Sequence, residues 1–213
     1  MKVFGVGLNK TGTSTFGKCM EVLGYTHVSY RSDLLQQYLI GRIDPIIVET
    51  KRFDSFEDWP WPLLYERLYE EYKDQARYVL TVRISADVWL KSLKNHCLNT
   101  DPDRPMRAPI YGYKYPHGYE REHMIFYERH NSNVRKFFST KASHLFTEIC
   151  WEKGDGWPQL CSFLNVPIPA VPLPHIRPRE TGVSPLVRER NLKNIKDQLR
   201  SLKLEDSSIR LRT

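Results

Sequence analysis

The chain has 213 residues, of which 40% are hydrophobic, 12% aromatic and 27% charged. This composition suits a globular protein long enough to bury a full core, and it excludes disordered and fibrous classes. The formal net charge of +7 favours anionic partners, without choosing among phosphate or sulfate ligands, acidic polymers and nucleic acid.

Four cysteines (Cys19, Cys97, Cys150 and Cys161) are scattered without a C-x-x-C pair. They form neither a zinc ligand set nor a disulfide framework, so free thiols in a reducing compartment are expected. The opening MKVFGVGLNK carries no apolar stretch of signal-peptide length, and no run of about 18 apolar residues occurs. A cytoplasmic protein without a transmembrane segment is the expectation.

Taken in chain order, Lys2 to Val6 reads as a short buried strand and Gly7 to Gly12 as a loop. Thr13 to Leu23 has apolar residues at helical spacing and is stopped by Gly24. Ser32 to Leu39 reads as a helix, and Asp44 to Glu49 (DPIIVE) as a second buried strand. Pro60 and Pro62 open a helix over Leu63 to Tyr72. Arg77 to Val82 (RYVLTV) is the clearest strand. Asp87 to Cys97 continues as a helix. Asn99 to Tyr119, with four prolines and four tyrosines, is irregular and is expected to line an acceptor site. A long amphipathic helix spans Glu120 to Phe138, a strand Ser143 to Ile149 and a short helix Trp157 to Leu164. Val166 to Pro178 is extended, and Leu186 to Leu204 is a basic amphipathic helix. Strands alternating with helices predict an α/β three-layer sandwich around a parallel sheet. Residues 1–178 would form the main domain and 179–213 a basic extension packed on it.

The stretch that carries chemistry is Gly5-Val6-Gly7-Leu8-Asn9-Lys10-Thr11-Gly12-Thr13-Ser14-Thr15. A glycine loop between a strand and a helix lets backbone N–H groups approach a phosphate, and the helix N-terminus adds partial positive charge. Lys10 supplies a full charge; Thr11, Thr13, Ser14 and Thr15 supply hydroxyls. A Walker A loop is excluded because no lysine follows the second glycine, and the dinucleotide fingerprint fails because Lys10 stands where its third glycine belongs.

What these residues resemble is K-T-G-T-[ST], the 5′-phosphosulfate loop of the sulfotransferases, which share the P-loop nucleoside-triphosphate-hydrolase-like fold. Three further segments, FDSFEDWPWPLLYERL, YERHN (Tyr127 to Asn131) and GDGWPQLCSFLNVPIP (Gly154 to Pro169), resemble a bacterial-type branch of that superfamily. The resemblance implies an enzyme that moves a sulfuryl group from 3′-phosphoadenosine 5′-phosphosulfate (PAPS) to a small-molecule or glycan hydroxyl or amine, with no metal. It implies that Lys10 stabilises the leaving phosphate. Arg83, at the end of RYVLTV, and Ser92 on the next helix would hold the donor's 3′-phosphate. Ser92 lies nine residues after Arg83 where the family has eight, and Lys91 occupies the family spacing. Lys153, Gly154 and Gly156 match a late loop that also meets the 3′-phosphate.

The general base stays open among Asp58, Asp54 and Glu49. Asp58-Trp59-Pro60 mimics one branch of the superfamily and Glu49 to Asp54 another, with Asp58 also suited to capping a helix. His96, one helical turn past Ser92, is a further candidate. Two other functions compete: a kinase on the same fold, and a basic binding module without catalysis. No nucleic-acid-binding motif is visible, so no such partner is expected.

Overall fold

The computed structural model describes residues 1–101, 107–174 and 184–210, with 204–210 as backbone only. Two compact units divide the chain: Met1–Ser85 with Tyr127–Arg177, and Ala86–Phe126 with Pro178–Thr213. The first unit begins with strand β1 (Lys2–Gly5), helix α1 (Thr13–Val22), strand β2 (His27–Val28), helices α2 (Ser32–Leu39) and α3 (Asp44–Glu49), strand β3 (Ser55–Phe56), helix α4 (Tyr65–Tyr72) and strand β4 (Ala76–Thr81). Helices α5 (Ala86–Asn99) and α6 (Arg107–Tyr111) belong to the second unit, and α7 (Glu120–Lys141) contributes to both. Strand β5 (Phe146–Ile149) and helix α8 (Trp157–Leu164) complete the first unit; α9 (Pro185–Arg210) returns to the second.

The five strands lie in the order β2-β3-β1-β4-β5, and every pairing is parallel. Strand alternation divides the core by face. Phe4, Tyr78 and Leu80 point to one side, where Leu34, Ile46, Leu68, Val134 and Phe138 from α2, α3, α4 and α7 cover them. Val3 and Val79 point to the other, against Phe16 and Met20 of α1 and Leu160 and Leu164 of α8. This is the α/β three-layer sandwich that alternating strands and helices predict.

Asp44–Glu49 is a helix, not a strand. Pro45 sits in its first turn, where a missing N–H costs nothing, and Ile46 and Ile47 turn inward together. An apolar run this short fits either element by periodicity. The sheet is instead completed by β2 and β3, each of two residues. Within the stretch expected to be irregular, α5 runs on to Asn99 and α6 adds a helical turn, while 102–106 lie outside the described residues. The expected strand from Ser143 opens with a 3-10 turn, Ser143–Leu145, before β5 begins. The proline-rich segment, expected to be extended, is irregular as far as residue 174, with bends at Ala170 and Val171, and is tied down where Trp157 Nε1 donates to Val171 O at 2.9 Å; 175–183 lie outside the described residues.

In the second unit α9 packs on α5 around Asn191, which is fully buried. Its amide nitrogen donates to Leu98 O and Thr100 O, both at 2.9 Å, and its oxygen accepts from the Tyr115 hydroxyl at 2.9 Å. Tyr115 is therefore part of this packing. Among the described residues, no helix is long and apolar enough to cross a membrane.

Candidate active site

In a sheet of this order, β1 is flanked by β3 on one side and β4 on the other, so the connections leave its two sides in opposite directions. Ligand sites in open parallel sheets form at such a point, outside the carboxyl ends of the strands. The loop after β1 occupies it. His130 of α7 donates Nε2–H to Val6 O at 2.8 Å, and burial holds its pKa down at about 4, so the ring is neutral. Gly7 lies against β4 so closely that a Cβ there would stand 2.3 Å from Thr81 O and 2.2 Å from Thr81 Oγ1. Gly12 has φ of 89°, and the indole of Trp151 covers it. Helix α1 starts at Thr13 with no side-chain cap and no acidic residue in its first turn. Its leading N–H groups are thereby left to an anion.

The threonines do not share one role. Thr11 is fully buried; its hydroxyl donates to Leu8 O at 2.6 Å and is 2.7 Å from the Thr81 hydroxyl. Its proton serves the loop and leaves only the backbone for a ligand. Thr13 and Thr15 are buried, whereas Ser14 is exposed. Lys10 is half-buried with φ of 69°, a left-handed conformation that a lysine adopts only where its surroundings impose it.

Asp58 shares that conformation, with φ of 63°. It lies two residues past the end of β3, at the same end of the sheet as the loop. Its carboxylate accepts from Trp59 N at 2.7 Å, and its carbonyl accepts from Trp61 N at 3.0 Å at the start of a 3-10 turn. Burial, reinforced by the neighbouring Glu57 carboxylate, pushes its pKa up to about 7; the Trp59 N–H and the Lys10 ammonium pull the other way. Glu57 is 2% exposed. Its Oε1 accepts from the Ser29 hydroxyl and lies 3.9 Å from His27 Nε2, while Oε2 has no hydrogen-bond partner.

The other carboxylates expected as bases are placed elsewhere. Asp54 precedes β3, at the opposite end of the strand, where it accepts from Thr26 N at 3.2 Å and lies 3.9 Å from Lys2 Nζ. Glu49 ends α3 and pairs with Arg31 at 2.7 Å and Arg52 at 3.3 Å.

Two more groups emerge at the same sheet edge. Arg83 follows β4. Its Nε donates to Lys10 O at 2.6 Å, its backbone N to the Tyr127 hydroxyl at 2.9 Å, and its Nη1 to Glu152 Oε1 at 2.6 Å. Glu152 follows β5 in the turn Trp151–Lys153, and its Oε2 accepts from Ile84 N at 2.8 Å. In the same segment Asp155 accepts from Cys150 N at 2.7 Å, and Gly156 N donates to Gln159 at 2.8 Å to open α8. Lys153 lies in the turn itself, and Gly154 closes it with φ of 88°. Lys91, Ser92 and His96 all lie on α5 of the second unit, Lys91 exposed and the other two half-buried.

Sequence reasoning gave no part in this region to Glu57, His130, Tyr127, Trp151 or Glu152, although YERHN was among its family-like segments. The YERHN segment held a usable signal for two of them. Tyr127 and His130 are three apart on a helix, hence on one face, and both reach the backbone of the loop region.

The sequence matches a family profile described as a sulfotransferase domain, over residues 2–111 and 104–181. A relative named Ava biosynthesis cluster protein M, from Aspergillus versicolor, is 23% identical over 221 residues, covering 83% of this chain and 80% of its own. The crystal structure of a sulfotransferase from Alicyclobacillus acidocaldarius superposes with a TM-score of 0.50 at 16% identity, covering 92% of this chain and 91% of that one. With the profile spanning the loop after β1, the β3 and β4 edges and the turn after β5, the chain belongs to the sulfotransferase domain family.

Proposed function

We propose that the protein transfers a sulfuryl group from PAPS to a hydroxyl or amine of a small-molecule or glycan acceptor, within a reducing, cytoplasmic compartment. The observation that carries this reading is the convergence of Lys10, Asp58 and Arg83 at the carboxyl ends of three adjacent strands, around an uncapped helix N-terminus. The site fits the donor chemically. Gly7 and Gly12 let the loop lie close against Thr81 and the Trp151 indole, where a Cβ would clash, and the cations Lys10 and Arg83 beside the helix N-terminus match an anion.

The donor supplies the sulfuryl group and a phosphate leaving group. The first-turn N–H groups of α1, with Thr13 and Thr15, hold the 5′-phosphosulfate, and Arg83 meets the 3′-phosphate. Asp58, ionised, accepts the proton of the acceptor hydroxyl as its oxygen bonds to sulfur. The sulfur–oxygen bond to the phosphate breaks, and Lys10 stabilises the negative charge left on that oxygen. As in phosphoryl transfer, alignment and fixed charge do most of the work.

The test is calorimetric binding of 3′-phosphoadenosine 5′-phosphate, the donor's product, without metal, to the wild type, Lys10→Ala and Arg83→Ala. Micromolar binding, weakened at least about tenfold in each variant, is expected. Absence of binding by the wild type would overturn the reading.

A further inference from the structure

We propose that Glu152 is a resident anion in the site that Arg83 offers the donor's 3′-phosphate, so that the nucleotide binds by exchanging its phosphate for this carboxylate. The inference rests on the assignment of Arg83 to that phosphate.

Glu152 makes the pair of contacts an anion would make at the end of β4. One oxygen takes the guanidinium Nη1 at 2.6 Å and the other takes the backbone N–H of Ile84 at 2.8 Å. A guanidinium beside a strand-end amide suits a phosphate equally well. Arg83 is fixed independently of the glutamate, through Lys10 O and the Tyr127 hydroxyl. Glu152, by contrast, has no hydrogen bond other than these two among the described residues. It rides on a single 3-10 turn that ends in Gly154, around which a Cβ would find nothing within 4 Å. The side chains of Arg83 and Glu152 are 25% and 28% exposed, so the pair lies within reach of solvent and of an incoming ligand.

Exchange has two consequences. While the site is empty, Glu152 satisfies Nη1 of an arginine already held at the loop by its bond to the carbonyl of Lys10. When the nucleotide is bound, Glu152 competes for its place. Because the product retains the 3′-phosphate, this competition speeds product departure. Glu152 thus sets nucleotide affinity and the preference for a 3′-phosphorylated nucleotide, with no part in the chemical step.

The experiment compares binding of 3′-phosphoadenosine 5′-phosphate and of adenosine 5′-phosphate, which lacks the 3′-phosphate, to the wild type, Glu152→Gln and Glu152→Ala. Glutamine keeps the shape and removes the charge; alanine empties the site. Thermal unfolding of each variant without ligand establishes that it is folded, and two different replacements guard against either one failing. The expected result is a gain of about tenfold in affinity for the 3′-phosphorylated nucleotide in both variants, with adenosine 5′-phosphate unchanged. Faster dissociation of the 3′-phosphorylated nucleotide from the wild type than from Glu152→Gln accompanies it. Wild-type binding of that nucleotide with no gain in either variant overturns the exchange while leaving the assignment of the donor intact. Equal gains for both nucleotides also overturn it, since the carboxylate would then act on the loop as a whole. No binding of the 3′-phosphorylated nucleotide to any of the three proteins would bring down the donor assignment itself.

Discussion

At Asp58 a carboxyl group is held where ionising is costly. Its backbone is left-handed, its side chain is half-buried, and Glu57 stands next to it with an oxygen that no donor reaches. With its pKa pushed up to about 7, it has the basicity that the proposed proton transfer calls for at neutral pH. The sign of the pH effect on activity follows: kcat/KM falls as pH drops through about 7 and the carboxylate takes up a proton. A steady-state pH profile in an acceptor assay checks this. Asp58→Asn should lower kcat by roughly 100-fold to 10,000-fold. The effect on stability runs the other way. The folded carboxyl keeps a proton that the unfolded one has already released, so the group costs stability as pH rises from about 4 towards 7. Asp58→Asn is therefore expected to be more stable than the wild type at about pH 8, by roughly 1–3 kcal/mol in urea unfolding. A variant equally inactive but less stable at that pH would show that Asp58 is a structural cap.

Between elements, the loop after β1 is held by neighbours more than by its own conformation. Gly7 lies on the backbone of β4 and His130 reaches across from α7 to Val6. In Gly7→Ala the added methyl meets a strand backbone that cannot give way, so a loss of about 3 kcal/mol or more is expected in chemical denaturation. His130 is buried and neutral, with its pKa near 4. The unfolded imidazole begins to take up a proton below about pH 6.5 and the folded one resists it to about pH 4, so stability falls as pH drops through that window. His130→Gln keeps a donor for Val6 O and removes the titration. Its stability should change less between pH 7 and pH 5 than that of the wild type, which is expected to lose roughly 1–3 kcal/mol there. The second unit depends on Asn191 in the same way. Asn191→Ala removes the donor of two partly buried carbonyls and the acceptor of the Tyr115 hydroxyl, which keeps its bond from Asn194, and should cost about 1–3 kcal/mol, read by hydrogen exchange in α5 and α9.

On the scale of the whole molecule, the net charge of +7 concentrates anions around the protein without ordering them. Nucleotide affinity should therefore fall as salt rises from roughly 50 to 500 mM, since long-range attraction is screened beyond a few ångströms at the upper end. Calorimetric titrations across that range provide the check, and an affinity independent of salt would mean that only contacts inside the site matter.

The sequence by itself determined the loop. Glycines and hydroxyls between an apolar strand and a helix suit an anion, and the position of Lys10 distinguishes the pattern from the Walker A and dinucleotide loops without any coordinates. It also determined the long elements: α2 and α8 fall where the pattern puts them and the ends of β4 differ by one residue, because their apolar periodicity is long enough to read. Only the tertiary structure decided which carboxylate meets the loop. The strand that carries it has two residues, too short for any period, and DPIIVE offered a more apolar substitute that folds as a helix. Once β3 pairs with β1 through Val3↔Ser55 and Phe4↔Phe56, Asp54 falls at one end of the sheet and Asp58 at the other. The pairing of Arg83 with Glu152, 69 positions away, was likewise beyond the sequence, because it arises from the parallel register of β4 and β5 and not from any local pattern.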